Sequence, residues 1–338
     1  KKVSEFSRRN YDSTWPESFY AATMLVSCGG LQPFTFDQLY PAEVTFPEQV
    51  CTVAVVNHAP AIPFPKKDLL TLGRLEGDGK VLSESLAGGL ADSHYFYQVV
   101  ISDSAITQEL TGGEILPQPV VDSLTQVLGV DMILSVDRIQ LLTGKKEIYY
   151  PGLISPFAAF DLKIRPVVRA YIPSRVMPVV TISKVDSMLW DLTPMLSDHD
   201  VVKEASQHTG ITLVNQLVPH WKNVERIYFD GGNPDMRDAS VSLREGDWQE
   251  AGRLWKNLYD SLKKGKLKSR AAFNMALACE VQGVMDEAVS WIEKAKSCAS
   301  KGSEEERAAL FYSTVLQERA KDFQLLNLQM ARFGNKIN

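Results

Sequence analysis

The chain has 338 residues, of which 45 % are apolar and 23 % charged, with a formal net charge of −5. Its length predicts two domains, its apolar content excludes a disordered chain, and its weak acidity gives no ground for a nucleic-acid partner. No stretch reaches the ~18 apolar residues of a membrane-spanning helix, and Cys28, Cys51, Cys279 and Cys298 form no CxxC pair, which excludes zinc-ribbon and thioredoxin-type sites.

In chain order, Lys1, Lys2, Arg8 and Arg9 precede a short apolar run from Phe19 to Val26, which ends in Leu25-Val26-Ser27-Cys28-Gly29-Gly30. Basic, apolar, small is the order of a secretory signal. Residues 1–28 are therefore expected to be a signal segment with a lipobox, Cys28 being lipidated and anchoring the chain in a membrane. An ordinary N-terminal helix with a buried cysteine competes with that expectation. Residues 29–50 carry few charges and read as an extended tether.

Residues 51–230 read as an α/β domain. Thr52 to Val56 is a continuous β-rich apolar run, as in a strand buried on both faces. Leu82, Leu86 and Leu90 mark one face of a helix, and Phe96 to Ile101 a second strand. Pro119 opens a second helix with a stripe of Val120, Val121, Leu124, Val127 and Leu128, closed by Gly129. Met132, Leu134 and Val136 share one strand face, and the shift of parity at Ile139 and Leu141 predicts a bulge. Phe160 to Ile172 alternates with period two, interrupted by Pro166, and Val179 to Trp190 returns beside it. A helix over about Asp200–Leu217 closes the domain, and Asp198-His199-Asp200 reads as its cap rather than as a metal site. Trp221 is expected to pack between domains.

Residues 231–338 are expected to form tetratricopeptide-like helical repeats. Two segments are alike: Gly246-Asp247-Trp248 to Ala251 and Trp255, and Gly283 to Ala288 and Ile292. The two glycines are 37 positions apart, close to the 34-residue repeat. Glycine allows the turn between paired helices, alanine their close approach, and Trp255 and Ile292 fill the interior. Arg244, Asn274 and Glu280 are expected to face outward on the concave side of the array and to bind a protein partner. Lys263, Lys264, Lys266, Lys268 and Arg270 read either as a contact for an acidic partner or lipid headgroups, or as a solvated loop.

The run Leu217 to Phe229, with Met236, Asp238-Ala239, Gly246-Asp247-Trp248, Leu31-Gln32-Pro33, Pro41-Ala42-Glu43-Val44 and Val53 to Asn57, resembles a family of Bacteroidota lipoproteins of unknown function. The resemblance covers roughly residues 24–335 and departs only in a signal region less apolar than is usual for that family. It implies an α/β domain joined to tetratricopeptide-like helices in an outer-membrane or periplasmic lipoprotein, and it brings no catalytic residues.

No GxSxG elbow, phosphate loop, GxGxxG turn or HExxH helix occurs. No catalytic, metal or cofactor residue is therefore assigned. The expected function is a non-catalytic cell-envelope lipoprotein that scaffolds a protein partner through its helical repeats; the alternative is a periplasmic enzyme or small-ligand binder with a site between the domains.

Overall fold

A computed structural model describes residues 30–60, 71–102, 114–149, 157–191 and 197–334. Cys28 and the expected signal segment lie outside these residues. The chain divides into two compact units, one over Ala42–Val218 and one that joins residues 30–41 to those from Pro219 onward.

The first unit is a mixed α/β sheet with helices on both faces. Its described elements are β2 (Thr52–Asn57), β3 (Gly73–Glu76), α1 (Gly79–Asp92), β4 (Gln98–Ser102), α2 (Gln118–Leu128), β5 (Met132–Ile148), β6 (Phe157–Tyr171), β7 (Val180–Ile182), β8 (Asp186–Asp191) and α3 (Asp198–Leu217). The strand order is β4-β2-β5-β6-β7, with β3 on β5 and β8 on β6. Strand β2 runs parallel to β4 and β5, and the later pairings are antiparallel.

The unbroken apolar run of β2 has its reason in this geometry. Val53 and Val55 pack with Leu82, Leu86 and Leu90 of α1 and with Val201 and Leu213 of α3. Ala54 and Val56 point the other way, toward Val121 of α2. Both faces are covered, so no position wants a polar side chain. Helices α1 and α3 lie close because their contact positions are glycines: a Cβ on Gly210 would fall 2.6 Å from Ser85 Cβ, and one on Gly89 2.6 Å from Val214 Cγ2.

The expected bulge falls between Val136 and Arg138 of β5, where Asp137 is the extra residue. The insertion returns Ile139 and Leu141 to the same core as Met132, Leu134 and Val136. On β6, Pro166 lies opposite Ile139, between the residues that pair with β7 and those that pair with β8. Its missing N–H therefore breaks no ladder on that side.

The second unit pairs β1 (Leu31–Tyr40) with β9 (His220–Phe229) as a two-stranded antiparallel ribbon, from Leu31 opposite Phe229 to Tyr40 opposite His220. Five helices follow: α4 (Pro234–Arg244), α5 (Trp248–Ser261), α6 (Lys266–Val281), α7 (Met285–Cys298) and α8 (Glu304–Met330). Asn233, Asp247 and Ser303 cap α4, α5 and α8 by accepting from the backbone N–H of Met236, Glu250 and Glu306. Gly246 and Gly283, at φ +83° and +77°, make the turns after α4 and α6 that a residue with a Cβ would strain. Ala251, Trp255, Ala288 and Ile292 are fully buried, and Trp248 packs at the core's edge. Helix α6 is buried on nearly every side from Ser269 to Glu280.

Three expectations are corrected. The stretch 29–50 is not a tether: residues 31–40 form β1, and Ala42, Phe46 and Val50 are buried. The boundary at residue 230 moves to Val218, because β9 belongs with the helices. Trp221 is 71 % exposed and is not a packing residue. The first two share a cause. A strand's partner is set by tertiary pairing, and β1 and β9 are separated in sequence by a whole unit.

Candidate functional site

The polar residues expected on the open face of the helical array are engaged by the chain's own ribbon. Asn274 of α6 is fully buried; its Oδ1 accepts from Phe229 N at 2.9 Å and its Nδ2 donates to Phe229 O at 2.7 Å. Glu280, also buried, receives Arg226 Nη2 at 2.7 Å and Nε at 3.0 Å, Gln38 Nε2 at 3.2 Å and the Tyr312 hydroxyl at 2.5 Å. Burial alone would raise the Glu280 carboxyl, but the Arg226 charge and these donors outweigh it and hold it below the ordinary carboxylate range. Burial, and then Glu280, push the Tyr312 phenol well up. Arg270 stacks over the Phe229 ring and reaches Glu305 at 2.8 Å and Glu304 at 3.3 Å. Arg244 is half exposed and donates to the Tyr228 hydroxyl at 3.0 Å.

The outward assignment of Asn274 and Glu280 is therefore corrected, and Arg270 is likewise withdrawn from the surface. Helical periodicity reports which face a residue is on, and here that face is covered by strands from elsewhere in the chain. Sequence reasoning missed Arg226, Gln38 and Tyr312. The available signal was Arg226 itself, a cation beside the apolar Ile227-Tyr228-Phe229 run. Of the basic cluster, Lys263, Lys264 and Lys266 are exposed. Lys268 donates to Leu262 O at 2.6 Å and lies over the Tyr259 ring.

The α/β unit holds a second polar cluster, none of whose residues was assigned from the sequence. The connection after β2 runs through α1 on one face, and the connection from β4 to β5 runs through α2 on the other. The carboxyl end of β2 thus lies beside β5 at a topological switch point, of the kind where open α/β sheets bind ligands, while β5 itself runs on to Ile148. His58 follows β2 there, and its backbone N–H bonds to Val136 O at 2.9 Å. His58 Nδ1 is 3.0 Å from Asp137 Oδ1, Ser135 donates to the same oxygen, and Arg169 Nη1 pairs with Oδ2. Asp137 is fully buried and His58 is 3 % exposed. His58 Nε2 has no hydrogen-bond partner among the described residues. A carboxylate on Nδ1 fixes the ring and leaves Nε2 as the free nitrogen. The parity shift at Ile139 was the sequence signal for this cluster, since the bulge supplies Asp137.

At the opposite, amino ends of β2 and β5 an open cleft of about 770 Å³ is lined by Val50, Asp122, Asp131, Pro173 and Arg175 among others. Its acids have structural duties. Asp122 accepts from Ser174 N, and Asp131 accepts from Thr52 N, Thr52 Oγ1 and Cys51 N. Ser197 caps α3, while Asp198 is buried and accepts from Thr71 N and its hydroxyl. Among the described residues no group of three His, Cys, Asp or Glu side chains could hold a metal ion, and no helix is long and apolar enough to cross a membrane.

A family model described as "Domain of unknown function (DUF8603)" matches residues 50–229, more than half of the chain. The chain belongs to this family. A second model, "Domain of unknown function (DUF6340)", matches residues 237–318, which span α5 to α7 with most of α4 and part of α8. The DUF8603 match takes in β9 but not its partner β1. No curated protein matches the chain. Among solved structures, similarity extends to a minor lipoprotein from Acinetobacter baumannii, at 9 % identity and a TM-score of 0.22 over 50 % of this chain and 89 % of that one. A hypothetical protein from Chlamydia trachomatis is similar at 14 % identity and a TM-score of 0.23, over 49 % of this chain and 88 % of that one.

Proposed function

We propose that this DUF8603 chain is a lipid-anchored cell-envelope protein, held through Cys28, that works as a non-catalytic scaffold built on tetratricopeptide-like hairpins. The Leu-Val-Ser-Cys sequence and the resemblance to Bacteroidota lipoproteins support the anchor. The observation that carries the scaffold reading is the grip of α6 on β9. Asn274 binds the main chain of an extended strand while Glu280 and Arg270 hold its side chains, the same pairing of main-chain hydrogen bonds with side-chain contacts by which extended peptides are recognised. With that face filled by the chain's own ribbon, a partner is left the outer helices α5 and α7. The test places photo-crosslinking residues at exposed Asn257 and Ser290 in native membranes. A discrete adduct at both sites is expected, and none at either would refute the scaffold.

A second reading has one observation in its favour. His58 Nε2 is buried without a partner at the β2–β5 switch point, as it would be if a small polar ligand bound there. Thermal-shift titration with a metabolite panel on the parent and on His58→Ala distinguishes the two. A ligand that stabilises only the parent establishes a small-ligand site in the α/β unit.

A further inference from the structure

We propose that Lys263, Lys264 and Lys301 form a membrane-contact surface of the helical unit that docks on anionic lipid headgroups. The inference rests on reading Cys28 as the lipid anchor.

The start of β1 lies against the start of α6. Asp230 N donates to Gly30 O at 2.6 Å, and a Cβ on Gly30 would fall 2.9 Å from Gly231 N and 3.8 Å from Arg270 Nη1. A Cβ on Gly232 would fall 2.6 Å from Leu267 Cδ1. An anchor at Cys28 is joined to the helical unit through Gly30, at the end of the unit where α6 begins, and the α5–α6 loop that leads into α6 carries Lys263 and Lys264.

The start of α8 is at this same end. Ser269 Oγ donates to Ala295 O at 2.8 Å, tying the start of α6 to the end of α7, and Arg270 pairs with Glu304 and Glu305 at the start of α8. The α7–α8 loop, with exposed Lys301, lies between those two attachments.

Charge accounting leaves these lysines free. Arg270 is buried and spent on Glu304 and Glu305, and Lys266 reaches Glu305 at 3.3 Å. Glu306 accepts from Gly302 N. Lys263, Lys264 and Lys301 are exposed, with no ion-pair partner among the described residues. Lys263 and Lys264 follow the end of α5 and Lys301 the end of α7, where positive charge complements the helix dipole, but the same charge also faces the start of α6. The first turn of α6 has no acidic residue and its N-cap Gly265 no side-chain bond, so nearby positive charge opposes the helix dipole. An anionic headgroup layer supplies the missing counter-charge, and basic residues next to a lipid anchor are attracted to it. The anchor holds the protein at the membrane; the lysines fix which end of the helical unit faces it.

The test uses the full chain with Cys28→Ser, so that no acyl group contributes. It is sedimented with vesicles of phosphatidylcholine alone and of phosphatidylcholine mixed with phosphatidylglycerol. Binding to the mixed vesicles only is expected, falling steeply with salt. K263E/K264E/K301E should lower it by roughly a hundredfold, on the basis of each lysine's attraction to an anionic surface, with thermal unfolding unchanged. Equal binding by parent and variant, or no binding to the mixed vesicles, overturns the proposal. The anchor reading is judged separately, by the mass of the Cys28 peptide from native protein. An unmodified Cys28 would sink that reading while leaving the vesicle result to stand for the lysines alone.

Discussion

Asn274 closes a complete amide–amide pair with Phe229, accepting from its N–H at 2.9 Å and donating to its carbonyl at 2.7 Å. It substitutes a side chain for a third strand, giving the inner edge of β9 the partner a sheet would give it. Asn274→Ala leaves both Phe229 groups unpaired in a dry interface and should cost about 2–4 kcal/mol. Asn274→Asp keeps the acceptor but sets a buried carboxylate oxygen against the Phe229 carbonyl, and should cost at least as much. Urea unfolding followed by tryptophan fluorescence measures both.

Glu280 neutralises Arg226 where neither reaches water. Glu280→Leu strands the guanidinium and should destabilise by about 3–5 kcal/mol, whereas Glu280→Leu with Arg226→Met should recover most of the loss. The pH dependence has a fixed sign. The folded carboxyl lies below its unfolded value, so its contribution is complete above about pH 4.3 and is lost as pH falls through the depressed folded value. Stability of the helical unit measured between pH 5 and pH 2 (roughly, the span from neutral-side plateau to acid) should fall less steeply for Glu280→Gln than for the parent.

Ala288 is fully buried in α7, in the interior of the helical array. Ala288→Leu adds three carbons to a filled space and should cost about 1–3 kcal/mol by thermal unfolding. Ser290→Leu, on an exposed position two residues away, should stay within about 0.5 kcal/mol.

Asp137 is the single acceptor shared by His58, Ser135 and Arg169. Asp137→Ala removes the centre of the cluster and should weaken the α/β unit by about 3 kcal/mol. Hydrogen exchange of the β5 and β6 amides reads the loss locally.

Burial, and then Glu287, push the Cys279 thiol up to about 12, whereas Cys51 is exposed and Cys298 partly so. Alkylation of the native protein at pH 8 should label Cys51 and Cys298 and spare Cys279 until denaturant is added.

Much of the α/β unit was legible because its signals are local. A run of β-branched residues at Thr52–Val56, leucines at 82, 86 and 90, Gly129 as a left-handed cap and the parity shift before Ile139 each depend only on neighbours. The site residues were less legible because their meaning is tertiary. Asn274 and Glu280 lie on the face that periodicity assigns them, but a polar residue there looks the same whether it meets solvent or Arg226. Pairing of Leu31 with Phe229 has no trace in either segment, since each alone is consistent with an extended linker.

The ribbon also sets an order of events in synthesis. Tyr40 pairs with His220, and the whole α/β unit, Ala42–Val218, is threaded between those two strands. The described segments of that unit lie in one stretch, and it can fold as soon as α3 leaves the ribosome. Strand β1 is made first in its own unit, yet it has no partner until β9 arrives about 180 residues later, roughly 10–40 s at ordinary elongation rates. Closing so long a loop would be slow for a free chain, but loop entropy grows only with the logarithm of length, and a folded insert that brings its own ends together removes most of it. The α/β unit is then a folding jig for the helical one. Variants that slow it should leave β1 waiting as an unpaired edge, with Phe34 and Phe36 lacking the core that half-buries them in the folded unit.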